Sequence, residues 1–191
     1  SAAKAFFSRI VTPIIDHSSG LDLLDPLMVY LMEDESKSGR HIVPVEYVRS
    51  SVSNTQDVIG AVKRAKREKK VLRVVGSEHS VNAAIYPEDG ITLVLKDDLR
   101  KVEILHTAEG DGKKWLYCRI GGGCYLGKDP LDTNSACYQV AVQGYGFPEL
   151  GGIIHQSVGG FIMTGSAGGS LKHSFADVIQ EIEFVDGNAQ V

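Results

Sequence analysis

Two stretches of this chain have residue types and spacing that could do chemistry. "VVGSEHSVN", Val74 to Asn82, runs two valines into a Gly-Ser turn and then presents His79 among small hydroxyl residues. Where a buried strand ends, backbone N–H groups become free to bind something, and a tight turn lets them converge. A histidine at that point is a candidate ligand, base, covalent anchor or polar loop residue. "HQSVGGFIMTGSAGGS", His155 to Ser170, sets Gly159, Gly160, Gly165, Gly168 and Gly169 among Ser157, Thr164, Ser166 and Ser170. N–H groups and hydroxyls crowd one surface there with few side chains in the way, which suits a pyrophosphate. The plain alternative is a flexible Gly/Ser loop. The apolar "FIM" and the strand-like "ADVIQEIEFVDG" that follows argue against it, because they embed the segment in folded structure.

Other chemistries are less well served. No Gly-Lys-Ser/Thr follows a glycine as a P-loop requires, and "GGGCYLG" misses the Rossmann spacing, so an ordinary ATPase or NAD-dependent enzyme is disfavoured. Cys118, Cys124 and Cys137 are an odd set without Cys-x-x-Cys pairing, so packed, reduced thiols are expected and no metal site, with one disulfide as the alternative. His155, His173, His106, His41 and His17 read as structural or surface histidines.

The elements that must position these stretches follow from periodicity. "SNTQDVIGAVKRAKREKK" has capping residues, an acid in its first turn, and Val58, Ile59, Val62 and Ala65 on one face, which predicts a helix. Its basic run, Lys63 to Lys70, lies on the polar side near the C-terminus and reads as a solvated face. "HIVPVEYV" before it reads as a strand, with Pro44 favouring an edge position. "VLRVVG", "ITLVLKD", "VEIL" and "WLYCRIGGG" follow as further strands. Earlier, Phe6, Phe7, Ile10, Val11, Ile14 and Ile15 recur at helical spacing, Ser18-Ser19-Gly20 breaks the pattern, and Leu27 to Met32 is a second apolar run. Residues 1–40 are therefore expected to form a helical extension and linker, and residues 41–191 an α+β domain. A formal charge of −4 and a hydrophobic content of 43% describe an ordinary globular chain, with neither nucleic-acid binding nor a membrane span expected.

In that order, the strand-helix-strand unit ending in "VVGSEHS", the strand-turn "YCRIGGG", the distal "SVGGFIMTGSAGG" and the closing "DVIQEIEFVDG" resemble the PCMH-type FAD-binding domain of the vanillyl-alcohol oxidase family. The resemblance is nearest to the branch of sugar and alditol oxidases and aldonolactone oxidoreductases. It implies that Val75, Gly76, Ser77, Glu78, His79 and Ser80 form a first pyrophosphate loop and that Ser157, Gly160, Thr164, Gly165, Ser166 and Ala167 form a second, with FAD between them. His79 stands where many relatives carry an 8α-histidyl bond to flavin. Ala167 replaces a histidine common in relatives, and Ile153, Ile154 and His155 stand where doubly linked relatives place a cysteine, so no cysteinyl bond is expected. The implied activity is an FAD-dependent oxidoreductase acting on an alcohol, sugar or related small molecule. A noncovalent FAD reductase and a nonenzymatic flavin-binding protein are the alternatives. The resemblance also implies a domain truncated at its C-terminus, with the substrate domain and catalytic base supplied by a C-terminal segment or a second chain.

Overall fold

The computed structural model describes residues 2–11, 27–30, 45–80, 85–110, 112–127 and 132–191. Among the described residues the strands are β1 Ala2–Val11, β2 Leu27–Tyr30, β3 Val45–Val52, β4 Leu72–Val75, β5 Gly90–Leu95, β6 Val102–Gly110, β7 Lys113–Ile120 and β8 Ile179–Val185. The helices include α1 Thr55–Glu68, α2 Ala136–Ala141 and α3 Val158–Met163. The strands form two four-stranded sheets, ordered β2-β3-β5-β4 and β6-β7-β1-β8.

Helix α1 forms where the sequence predicts it, for local reasons. Asn54 caps it by accepting from the Asp57 amide at 3.0 Å, and Lys69 closes it in the left-handed conformation with φ of 52°. Val58, Val62 and Ala65 are fully buried against Val52, Leu72, Ile91, Leu93 and Leu95 of the first sheet. Each buried valine contributes roughly 1.5–3 kcal/mol relative to exposure. Lys63, Lys66, Arg67 and Lys69 are exposed, Lys66 donating to Asn188 at 2.7 Å, whereas Arg64 is largely covered and pairs at 2.6 Å with the buried Glu68.

The α1 crossover joins β3 to β4, and both pair with β5 in parallel, Val52 opposite Leu95 and Val75 opposite Val94. β5 is buried along its whole length, as a strand covered on both faces should be. In the second sheet, β6 and β7 form an antiparallel hairpin that turns near Gly112 at φ of 68°. Leu116, Cys118 and Ile120 of β7 enter a second core with Ala136, Val140, Val158 and Phe161 of α2 and α3. Phe175 completes it, its ring 5.1 Å from Phe147 and 5.2 Å from Phe161.

Two expectations are corrected. Ala2–Val11 and Leu27–Tyr30 are strands, not the expected helical pair; the remainder of residues 1–40 lies outside the described residues. Phe, Ile and Val have high strand propensity, and short apolar runs fit a sheet as well as a helix, so β1 joins β7 and β8 in parallel register. The strand after Pro44 is internal, lying between β2 and β5.

The three thiols are packed in the second core. Burial pushes Cys118 and Cys124 from the ordinary 9.0 up to about 12, and Cys137 up to about 11. Folding favours their protonated form, so this contribution is intact below pH 9.0 and is lost as pH rises toward those values. Iodoacetamide at about pH 8 should leave Cys118 and Cys124 unmodified in the native protein and label them in denaturant. Urea midpoints should fall as pH is raised above 9.0; rapid native alkylation of either residue would contradict this burial.

Candidate functional site

At the carboxyl end of β4 the chain leaves the sheet at Gly76, and here it meets α3. Val75, Gly76, Ser77, Glu78, His79 and Ser80 line a cleft of about 290 Å³ whose facing wall includes Gln156, Ser157, Gly159, Gly160, Met163 and Thr164. Leu95, Gly122 and Gly123 line its base with Leu72, Arg73 and Val74. Ligand crevices in parallel sheets lie outside the carboxyl ends of strands, which is where this cleft opens.

The first wall has the free donors. Among the described residues, the amides of Ser77, Glu78, His79 and Ser80 donate to no backbone carbonyl. Glu78 lies at φ of 60°, in the left-handed region, within this loop. His79 is exposed at the cleft, its ring centroid 6.4 Å from that of His155. The Ser77 hydroxyl donates to the His155 carbonyl, tying the first loop to the second.

The second wall is organised differently from the expectation of outward-facing amides. Phe161 donates to the Ser157 carbonyl at 2.8 Å, Thr164 to Gly160 at 3.1 Å, Gly165 to Ile162 at 3.1 Å and Ser166 to Phe161 at 2.9 Å. The Gly168 and Ser170 amides both donate to the half-hidden carboxylate of Glu149, at 2.9 and 3.3 Å. Most donors here are spent within the protein, because "SVGGFIMT" folds as a short helix instead of a loop. Ser157 is its N-cap, accepting from the Gly160 amide at 3.3 Å. What this wall offers the cleft is chiefly small size, from Ser157, Gly159 and Gly160, because the Thr164 hydroxyl is itself bonded to the Gly160 carbonyl at 2.8 Å.

Of the twelve residues predicted for the two loops, Val75 to Ser80 and Ser157, Gly160 and Thr164 come together at this cleft. Gly165, Ser166 and Ala167 do not line it; Gly165 turns the chain at φ of 61° and the Ser166 hydroxyl receives the Gln156 amide at 3.2 Å. Sequence reasoning did not assign Gly122, Gly123 or Gln156, and it named Gly159 only as one of the glycines of the second stretch. The signal for the first two was present in the three successive glycines that follow β7.

The glycines work by chain-to-chain contact. A Cβ at Gly76 would collide with the Ser157 side chain, and one at Gly159 would lie 2.8 Å from the Gly122 carbonyl oxygen. The Gly159 amide bonds that same oxygen at 2.8 Å, and Val158 bonds the Cys124 carbonyl at 2.8 Å.

A loop whose amides have no backbone acceptor among the described residues, a wall of small residues, and a position at the carboxyl end of a parallel strand fit a ligand carrying a diphosphate. The class they define is a nucleotide-cofactor domain. A family model described as an FAD binding domain matches residues 49–191, and the chain belongs to that family. It is 29% identical over 140 residues to D-arabinono-1,4-lactone oxidase of Candida glabrata, a match spanning 73% of this chain and 25% of that protein. No solved structure matches this chain. The family match and this relative support the resemblance to PCMH-type domains of the aldonolactone oxidoreductase branch.

Gly76→Ala and Gly159→Ala should each cost about 1–3 kcal/mol through overpacking, lowering Tm by roughly 3–10 °C. Gly152→Ala, where nothing lies within 4 Å of the added carbon, serves as control and should change Tm little. Thermal unfolding followed by circular dichroism reads the difference; equal Tm for all three variants would contradict the described junction.

Proposed function

We propose that this chain holds the flavin of an FAD-dependent oxidoreductase that oxidises an alcohol, sugar or aldonolactone-like small molecule. The observation that carries the reading is the set of amides at Ser77 to Ser80, without backbone acceptors among the described residues, at the same cleft as an exposed His79. Family membership and the lactone oxidase relative support the activity class. When bound, FAD supplies the hydride acceptor, and the redox chemistry is the cofactor's own.

The work of this chain is then to bind and orient. The amides of Ser77 to Ser80 receive the diphosphate, and Ser157, Gly160 and Thr164 close the cleft from the other side. Gly165, Ser166 and Ala167, predicted for the same loop, support that wall from behind. His79 is proposed to be the covalent anchor: one ring nitrogen replaces a hydrogen of the flavin 8α-methyl group. Such a bond would release the histidine N–H proton, a methyl proton and two electrons, which dioxygen would take up as hydrogen peroxide. Substrate-binding residues and the base for the substrate hydroxyl are assigned to a further segment or second chain, in keeping with a match that spans 25% of the relative.

Acid precipitation should leave wild-type protein with a yellow pellet, and peptide mapping should put the flavin mass on the peptide containing "VVGSEHS". In His79→Ala the flavin should be released by acid from a folded protein. Unmodified His79 in fully flavinylated protein would reject the linkage and leave noncovalent binding; failure to take up any flavin would reject the whole reading.

A further inference from the structure

The loop that carries the uncommitted amides also carries a carboxylate. Glu78 lines the cleft and occupies the left-handed region, φ of 60°, which residues with a side chain adopt at a cost. An anion settling on the Ser77 to Ser80 amides would meet that negative charge within the same turn. Arg49 answers it from elsewhere in the sheet. It lies in β3 opposite Thr92 of β5, and its Nη2 donates to Glu78 Oε1 at 3.1 Å, so the contact reaches across the central strand to the loop after β4. Both side chains are partly exposed, at 32% and 41%. Such a pair adds little to stability, but it cancels a charge at the place where an anion binds.

We propose that Arg49 is a positioning residue for the cofactor's diphosphate, acting by holding and neutralising the Glu78 carboxylate so that the loop presents its amides without an opposing charge. The inference rests on the flavin reading above. It assigns Arg49 no contact with cofactor or substrate. Its effect on binding is therefore indirect, dependent on Glu78 and sensitive to salt.

The test is FAD affinity, measured by flavin fluorescence in the His79→Ala background so that binding is reversible. Arg49→Ala should weaken FAD roughly fivefold at low salt, with the ratio to the parent shrinking toward one as salt is raised. Arg49→Lys should recover most of the loss, and adding Glu78→Gln to Arg49→Ala should recover it as well, because the charge to be neutralised is gone. If Arg49→Ala does not fold, Glu78→Gln alone carries the test and must bind FAD at least as tightly as the parent. Unchanged affinity in Arg49→Ala, a loss that salt does not reduce, or a double variant as weak as Arg49→Ala would each overturn the proposal while leaving the flavin reading standing. A parent that binds no FAD would instead bring down the flavin reading, and this inference with it.

Discussion

The structure depends on how closely three backbone segments approach one another around Ser157. Gly76 leaves β4 against the Ser157 side chain, the Gly121-Gly122-Gly123 turn after β7 receives the Gly159 amide, and Tyr125 lies opposite Ser157 in an isolated antiparallel bridge. Ser157 is nearly buried and caps α3, so the junction fixes both the start of that helix and the exit of the first loop. Close approach without side chains, combined with hydrogen bonds that satisfy the buried backbone, is what brings the two walls of one cleft together.

The walls divide the work. The segment with the most glycines has committed most of its amides inside the protein, to α3 itself and to Glu149, and contributes shape. The shorter loop at the end of β4 contributes donors, because a parallel strand that ends beside its neighbour leaves its next amides without a ladder partner. Preorganisation follows from this arrangement: the donors follow β4, whose ends Leu72 and Val75 are buried and which pairs with the fully buried β5.

Main-chain donors also reconcile an anionic ligand with an acidic chain. The formal charge is −4, and Arg73 is the cleft's basic side chain besides His79 among its lining residues. Backbone dipoles act over short distances and carry no net charge, so in the proposed function they serve a diphosphate without a basic surface that would attract polyanions generally. The Arg49–Glu78 pair belongs to the same balance, since a carboxylate in such a loop counts for more than one on the open surface.

By itself the sequence determined the local elements and the kind of chemistry. The amphipathic face of Val58, Val62 and Ala65, the Asn54 cap, the β-rich runs and the Gly-Ser turn before His79 are all short-range properties, and helix α1, strands β4, β5, β7 and β8 and the first loop lie where those patterns put them. Only the tertiary structure decided which donors are free, because an amide is spent or available according to partners far along the chain: Glu149 takes Gly168 and Ser170, and Gly122 takes Gly159. It also decided that "SVGGFIMT" is a helix and that Ala2–Val11 is a strand, where local propensity is ambiguous and pairing partners settle the outcome. The glycine triplet after β7 shows the same limit: its spacing fits no nucleotide fingerprint, and its role exists only once Leu95, Leu99 and Gly159 have been folded against it.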